Sequence, residues 1–455
     1  MKPVDLPVEL VLRLLYGMAL EDIIHMSRVC SYFRVISLSM PDVWINAKDS
    51  GNLPLTKTPE PSLLPRYACR AVSLLRKWKE PIITPVGWCR PPNDKLPSWS
   101  PWIVPEILLG FKGPLWCEFL PGAETFFVGK RTAAGIYDLH GRYGVELELA
   151  GEVVDVGWSC IEDGASLTVG LLIRDFGEDR STVLSLYDLS ESHLKRQAIS
   201  PPRYIYLPQV SKDPKGMTIQ LNTVVMWGDD FVLLVDMLDG SKSHLVLSEH
   251  EKDLKIIHAD VLPSTPFTVV LLSEATKGRR RTLSAVQVVD NKKIAGSWDK
   301  KWETCALCLR HLESVKLPDS VHHSRNFSGR PQFALYMDHE SIGIIDVDVH
   351  STSPMWAIQH PADSAPVDDQ DWNNAEYFWP CRTVSGQLFL FVLREGRVEF
   401  WQHPDRPRNQ PRYLDPIAAE FVLSAVAPNH VHFTFDPVFG LLLLLADGHT
   451  LLLQY

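Results

Sequence analysis

The residue types best suited to chemistry gather in three places. Cys305 and Cys308 form a Cys-x-x-Cys pair followed by His311, with His322 and His323 further along. Thiolate and imidazole at close spacing are ligands of zinc. Yet no second close cysteine pair accompanies them and the run is apolar and strand-like, so thiols packed in a β core are the expectation and no metal is assigned. Gly122 to Lys130 has the outline of a phosphate loop, but six residues rather than four separate its glycines and Arg131 replaces the hydroxyl that would hold magnesium. It reads as strand and turn. The third place is Lys277-Gly278-Arg279-Arg280-Arg281. Guanidinium groups grip carboxylate or phosphate oxygens in pairs, so Arg279, Arg280 and Arg281 are candidate contacts for an acidic or phosphorylated segment of a protein target. A solvated loop tip and a nuclear import signal are the alternatives. No Gly-x-Ser-x-Gly elbow, His-Glu-x-x-His pair or dinucleotide glycine fingerprint occurs, and neither catalysis nor a cofactor is expected.

What must position such groups is large. The 455 residues exceed one small core, and 45% hydrophobic with 22% charged residues is ordinary for a globular protein. The net charge of −10 argues against a general binder of nucleic acid. Eight cysteines scattered over the chain suit reduced core thiols, which with the lack of a leader implies a cytoplasmic or nuclear protein. The densest apolar run, Leu441 to Leu445, is too short to span a bilayer, so no membrane contact is expected.

Past residue 105, runs of strand length recur between Gly, Asp, Pro and Asn. Similar strand ends return at Ile136-Tyr137-Asp138-Leu139, Leu186-Tyr187-Asp188-Leu189, Leu234-Val235-Asp236-Met237, Val288-Val289-Asp290, Ile345-Asp346-Val347, Phe400-Trp401-Gln402 and Leu453-Gln454-Tyr455. The interval of about 50 residues has room for four short strands, as in 126–128, 134–139, 145–149 and 153–158. This pattern resembles WD-repeat propellers, although the Gly-His and Trp-Asp signatures survive only as Gly448-His449 and Trp298-Asp299. Seven marks imply a seven-bladed all-β propeller over residues 106–455, with six or eight blades as the alternatives. Its last blade lacks an outer strand, which residues 106–111 are expected to supply, because closure removes exposed sheet edges.

The amino-terminal part differs. Pro7 to Tyr16 reads as a helix whose apolar residues surround its axis, so it must be buried on all sides. A second helix carries Leu20, Ile23, Ile24 and Ser27 at helical spacing, and a third has Val29, Tyr32, Phe33 and Ile36 on one stripe before Pro41 and Trp44. So small a bundle cannot cover that much apolar surface, and another protein is expected to, the alternative being that the bundle packs on the rest of the chain. Residues 51–105 read as a connector. Pro61 to Lys79 forms a basic stalk helix with Ala68, Ala71, Val72, Leu75 and Trp78 on one stripe, and Pro81 to Pro105 is a stiff proline-rich link that clings to the propeller by Trp88, Trp99 and Trp102.

Leu6-Pro7-x-Glu9-Leu10, Leu14-Leu15, Leu20-Glu21-Asp22-Ile23, Ser27-x-Val29-Cys30, Phe33 and Trp44 together resemble an F-box over residues 5–47. The resemblance implies a small all-α F-box bundle at residues 1–50, joined to the all-β propeller. It implies a substrate receptor of an SCF-type ubiquitin ligase, binding a Skp-family adaptor and, through it, cullin. Leu6, Pro7, Leu10, Leu14, Ile23, Cys30, Phe33 and Trp44 would lie near the adaptor, while Leu15, Ile24 and Val29 are assigned to the bundle's own core. A scaffold that does not direct degradation and, more remotely, a propeller enzyme are the alternatives. The target protein is not specified by the sequence.

Overall fold

The structure is a computed structural model. It describes residues 6–50, 53, 63–89, 115–120, 125–138, 144–149, 151–160, 166–175, 182–190, 201–207, 214–220, 222–238, 240–246, 254–261, 267–275, 281–290, 300–301, 306–316, 318–325, 331–337, 341–348, 355–359, 377–382, 388–402, 412–425, 431–446 and 449–455. The chain is mostly β with few helices.

The helices come first. α1 spans Val8–Leu15, α2 Leu20–Val29, α3 Ser31–Ser39, α4 Asp42–Ile45 and α5 Leu64–Lys77. Prolines precede or open several of them, where a missing N–H costs nothing. α2 has no local side-chain cap, but the Asp49 carboxylate accepts a hydrogen bond from the Leu20 N–H at 2.7 Å and takes up one orphan donor from a distance in sequence. The Trp44 indole N–H donates to the Ser37 carbonyl at 2.7 Å, which ties α4 to α3.

Among the described residues seven separate sheets follow, each beginning as an antiparallel meander in chain order. The first comprises Leu115–Leu120, Thr125–Lys130, Ala133–Asp138 and Gly144–Leu147, and the second Gly151–Cys160, Ser166–Asp175, Thr182–Ser190 and Arg203–Tyr206. The third is Gly216–Gln220, Thr223–Trp227, Phe231–Asp236 and Lys242–Val246, with Lys300–Lys301 added in parallel. The fourth is Leu254–Val261, Phe267–Ala275, Arg281–Asp290 and Ala306–Lys316, and the fifth Pro318–Arg325, Pro331–Met337, Ser341–Asp348 and Met355–Gln359. The sixth is Tyr377–Arg382, Leu388–Arg394, Arg397–Gln402 and Arg412–Leu414, with Ile82–Ile83 in parallel. The seventh is His432–Asp436, Leu441–Ala446, His449–Gln454 and Gly87–Cys89.

All seven recurring strand ends fall on the third strand of a sheet. Aspartate recurs there because its side chain can close the turn that follows: Asp236 accepts a hydrogen bond from the Leu238 N–H at 2.7 Å. The grouping of strands differs from the expected one. Gly151–Cys160, read as the outer strand of the first unit, opens the second sheet, and Leu115–Leu120 opens the first. Partner choice between strands of similar pattern is set by pairing at a distance, not by the local alternation that identifies each strand.

The outer strand of the seventh sheet comes from Gly87–Cys89, antiparallel to Gln454, Leu453 and Leu452. Residues 106–111, expected in that role, lie outside the described residues. The physical reason for the earlier strand is the route of the chain: α5 ends against the sixth and seventh sheets, and Ile82–Ile83 then Gly87–Cys89 run directly onto their edges. The Val86 N–H donates to the Gln454 carbonyl at 2.6 Å at the start of this pairing.

Neighbouring sheets meet through their first strands. Leu254–Val261 touches Gly216–Gln220, which touches Gly151–Cys160, and Tyr377–Arg382 touches Pro318–Arg325 and His432–Asp436. His432–Asp436 in turn touches Leu115–Leu120, so the last sheet meets the first. The Thr434 hydroxyl donates across that junction to the Cys117 carbonyl at 2.7 Å. A further helix, α6 (Pro416–Ser424), joins the sixth sheet to the seventh. Its Asp415 cap accepts from the Ile417 N–H at 3.0 Å, and Pro416 occupies the first turn.

α5 belongs to two cores at once. Leu64, Ala68, Ala71 and Val72 pack with α1 to α4, whereas Leu74 and the following Trp78 pack with the sixth and seventh sheets. Leu74, rather than the expected Leu75, is the buried leucine of its last turn. The Trp78 ring lies edge-on to Phe435 and Tyr455, with centroids 5.2 and 5.1 Å away. The Arg412 guanidinium donates to the Trp78 carbonyl at 2.8 Å, and that of Arg70 to the Phe439 carbonyl at 2.6 Å.

Candidate partner-docking surface

The core of the helical unit is built by Val11 and Leu15 of α1, Leu20 and Ile23 of α2, Phe33 of α3 and Trp44 of α4. Val11 and Leu15 stand one turn apart, so they share the one inward stripe of α1. Val8 and Leu12 are half-buried against the same core, and the opposite side of this short helix is open. Leu10 is 46% exposed and Leu14 56%. α3 repeats the arrangement: Phe33 and Ile36 point inward, while Val35 and Leu38 are exposed, followed by Met40 and by Ile45 of α4. Among the described residues, exposed large apolar side chains thus recur on α1, α3 and α4, with others on the connector and the sheets, such as Ile82, Val86 and Tyr206.

The residues expected near an adaptor divide into three groups. Pro7, Leu10 and Leu14 are exposed, and Leu6 and Cys30 are half-buried. Ile23, Phe33 and Trp44 are not surface groups: they are buried in the bundle's core, because they stand on the faces of α2, α3 and α4 that turn toward one another. Val29, assigned to the core, is instead 65% exposed, since it is the last residue of α2, where the chain turns outward. Leu15 and Ile24 are buried. Val35, Leu38, Met40 and Ile45 were not singled out. Their signal was present, as apolar residues off the inward stripe of α3 and beyond its end.

The Tyr32 hydroxyl donates to the Leu6 carbonyl at 2.6 Å, which holds the segment before α1 against α3. Glu21 of α2 is paired with Arg76 of α5. The Arg76 guanidinium, hydrogen-bonded to Glu21, holds its carboxyl below the usual carboxylate range. This pair is exposed and fastens the stalk helix beside the bundle only weakly.

Of the basic cluster, Arg279 and Arg280 lie outside the described residues, and Arg281 opens a strand opposite Ala275. Cys305 also lies outside them. Cys308 and His311 sit in Ala306–Lys316 opposite Val288 and Ala285, while His322 and His323 belong to the next sheet. Among the described residues, no group of three or more His, Cys, Asp or Glu side chains could hold a metal ion. No helix among them is long and apolar enough to cross a membrane.

A second polar feature joins the sheets. The Asp155 carboxylate accepts from the Val156 N–H at 2.9 Å and from the Met217 N–H at 2.7 Å, linking the first strands of the second and third sheets. The Trp116 side chain of the first sheet also hydrogen-bonds it. Burial outweighs these bonds and pushes the carboxyl up to about 6. Asp155 thus acts as a three-way tie.

No family model matches the sequence, and no curated protein matches it. Solved structures similar to the chain include an ancestral GH74 enzyme, at 11% identity over 66% of this chain and 40% of that one, with a TM-score of 0.43. The AfRom2 CNH domain is 9% identical over 60% of this chain and 74% of that one, with a TM-score of 0.34. The N-terminal domain of Nup159 is 12% identical over 73% and 86% of the two chains, with a TM-score of 0.32. The chain therefore spans well under half of the GH74 enzyme's length. Likenesses this distant lend no weight to any function.

Proposed function

We propose that the chain is the substrate-recognition subunit of an SCF-type ubiquitin ligase. In this reading α1 to α4 are an F-box that docks a Skp-family adaptor and, through it, cullin, and the seven sheets are the blades of a propeller that holds a target protein. The observation that carries it is the exposed apolar surface of α1 and α3, with Leu10, Leu14, Val35 and Leu38 uncovered on a bundle whose own core is already filled. The F-box-like sequence pattern and the contact of the seventh sheet with the first support the same reading.

The chain itself would do no chemistry. Its contribution is proximity, because a tethered target meets the ubiquitin-charged enzyme in an effectively intramolecular encounter. α5 suits that task by sharing both cores, which limits swinging between adaptor and target. The basic residues Arg279, Arg280 and Arg281 are the proposed first contact for an acidic target segment.

The test is co-elution of the full chain with a Skp-family adaptor. Leu10→Asp combined with Leu14→Asp should abolish it while leaving the melting temperature unchanged, since both side chains already face solvent. Phe33 is unsuitable for such a test because its loss would unfold the bundle. Co-elution undiminished by the double change, or no adaptor binding by the wild type, would overturn the reading. Stabilisation of a bound target by the same double change separates a degradation receptor from a scaffold.

A further inference from the structure

A cleft in the helical unit borders the surface proposed for the adaptor at Leu38 but includes neither Leu10 nor Leu14. Two hollows of about 450 and 530 Å³ open between α2, α3 and α5, and both are lined by Ile24, Arg28 and Cys69. Their floor is apolar, since Ile24, Val72 and Trp44 are buried. At one end the charge is neutralised, where Glu21 pairs with Arg76. At the other stand Arg28 and Arg34, both exposed, whose guanidinium groups form no hydrogen bond or ion pair among the described residues.

The surrounding charge has the same sign. Residues 1–80 contain 11 Lys or Arg against 8 Asp or Glu, within a chain of 45 against 55. The remainder therefore has 34 against 47, so this end is net positive while the rest of the chain taken together is net negative. Unpaired arginines beside an apolar floor favour a ligand that combines carboxylates with an apolar side chain.

We propose that this cleft binds an acidic peptide segment of a partner protein, with its carboxylates on Arg28 and Arg34 and an apolar side chain over Ile24 and Trp44. A nucleic acid fits less well. Glu80 lines the far end of the cleft and opposes a continuous phosphate backbone there, and of the rings that line it Trp44 is buried and cannot stack on a base, which leaves the exposed His25 alone. Cys69 is exposed and borders both hollows, so a seated peptide covers its thiol.

The experiment uses the full chain and a short fluorescent peptide in which Glu and Asp flank a central Leu. Anisotropy reads binding, and the alkylation rate of Cys69 reads where it occurs. The peptide should bind and slow alkylation. Arg28→Ala with Arg34→Ala should weaken binding by about tenfold or more and remove the protection, because paired charge-assisted contacts carry the recognition. Arg13→Ala, exposed on α1 outside the cleft, should change neither. Leu10→Asp with Leu14→Asp should also change neither, which separates this proposal from adaptor docking. The proposal is overturned if the wild type does not bind the peptide, or if the paired arginine change leaves binding intact. It is equally overturned if Arg13→Ala weakens binding as much, or if a single-stranded oligonucleotide protects Cys69 better than the peptide.

Discussion

Gly440 lies against Leu74: a Cβ at position 440 would stand 2.6 Å from the Leu74 Cδ2 and 2.9 Å from the Tyr455 carbonyl oxygen. This turn of the seventh sheet and the last turn of α5 approach so closely that no side chain fits between them. Gly440 also has φ +62°, a conformation that side chains disfavour.

Gly440→Ala is therefore expected to destabilise the protein by about 2–4 kcal/mol, combining left-handed strain with overpacking against the leucine. Gly240, at φ +72° with nothing within 4 Å of its added Cβ, supplies the comparison. Gly240→Ala should cost only about 1 kcal/mol. Chemical denaturation of the two variants checks the difference, and equal losses would mean that the contact with Leu74 yields freely.

Trp78 is expected to hold the helical unit to the sheets. Its ring packs among Phe400, Phe435 and Tyr455, and its truncation opens a void where two cores meet. Trp78→Ala should cost about 3–5 kcal/mol. It should also speed proteolytic cleavage between residues 79 and 89 more than cleavage within the sheets. Uniform acceleration across the chain would count against a local loosening.

Asp155 makes stability fall as pH rises. Its carboxyl is raised from 3.8 to about 6 in the folded protein, so the native state holds the proton more tightly than the unfolded chain. That contribution is full below the unfolded value and is lost as pH climbs through the folded one. Between pH 4.5 and 7.5 the loss should be about 2 kcal/mol. Asp155→Asn keeps an oxygen to accept from a backbone N–H but does not titrate. The stability of wild type relative to this variant should decline over the same range, and a constant difference would contradict the assignment.

Glu399 is almost fully buried in the sixth sheet, where its carboxylate lies 3.4 Å from the Arg394 guanidinium and accepts from the Trp401 indole N–H at 3.0 Å. Glu399→Ala should cost about 3–5 kcal/mol, because it strands a poorly solvated cation. Removing both charges by Arg394→Leu with Glu399→Leu should restore part of that loss. A double variant no more stable than Glu399→Ala would show that the cost lies in packing instead.

Local pattern was readable from residues close in the chain. The recurring ends such as Leu186-Tyr187-Asp188 and Leu234-Val235-Asp236 lie on third strands because alternation and a turn-closing aspartate are properties of a few consecutive residues. α1, α2, α3 and α5 were likewise visible as periodic apolar runs bounded by Pro and Gly, whereas the four-residue α4 is too short to show a period and was read only as Pro41 followed by Trp44. α6 was missed: Asp415-Pro416 is a helix start, but its apolar residues show no clear stripe among the surrounding strands.

The amino-acid order alone determined where most strands and helices form, because hydrogen bonding within a helix and alternation along a strand depend on neighbours in sequence. Tertiary structure decided the rest: that Gly151–Cys160 opens a sheet, that Gly87–Cys89 completes the seventh, and that Phe33 is covered while Leu14 is not. Phe33 and Leu14 are both apolar residues on amphipathic helices. Which of them meets water depends on how distant segments pack, and that information is spread over the whole chain rather than held in any one stretch of it.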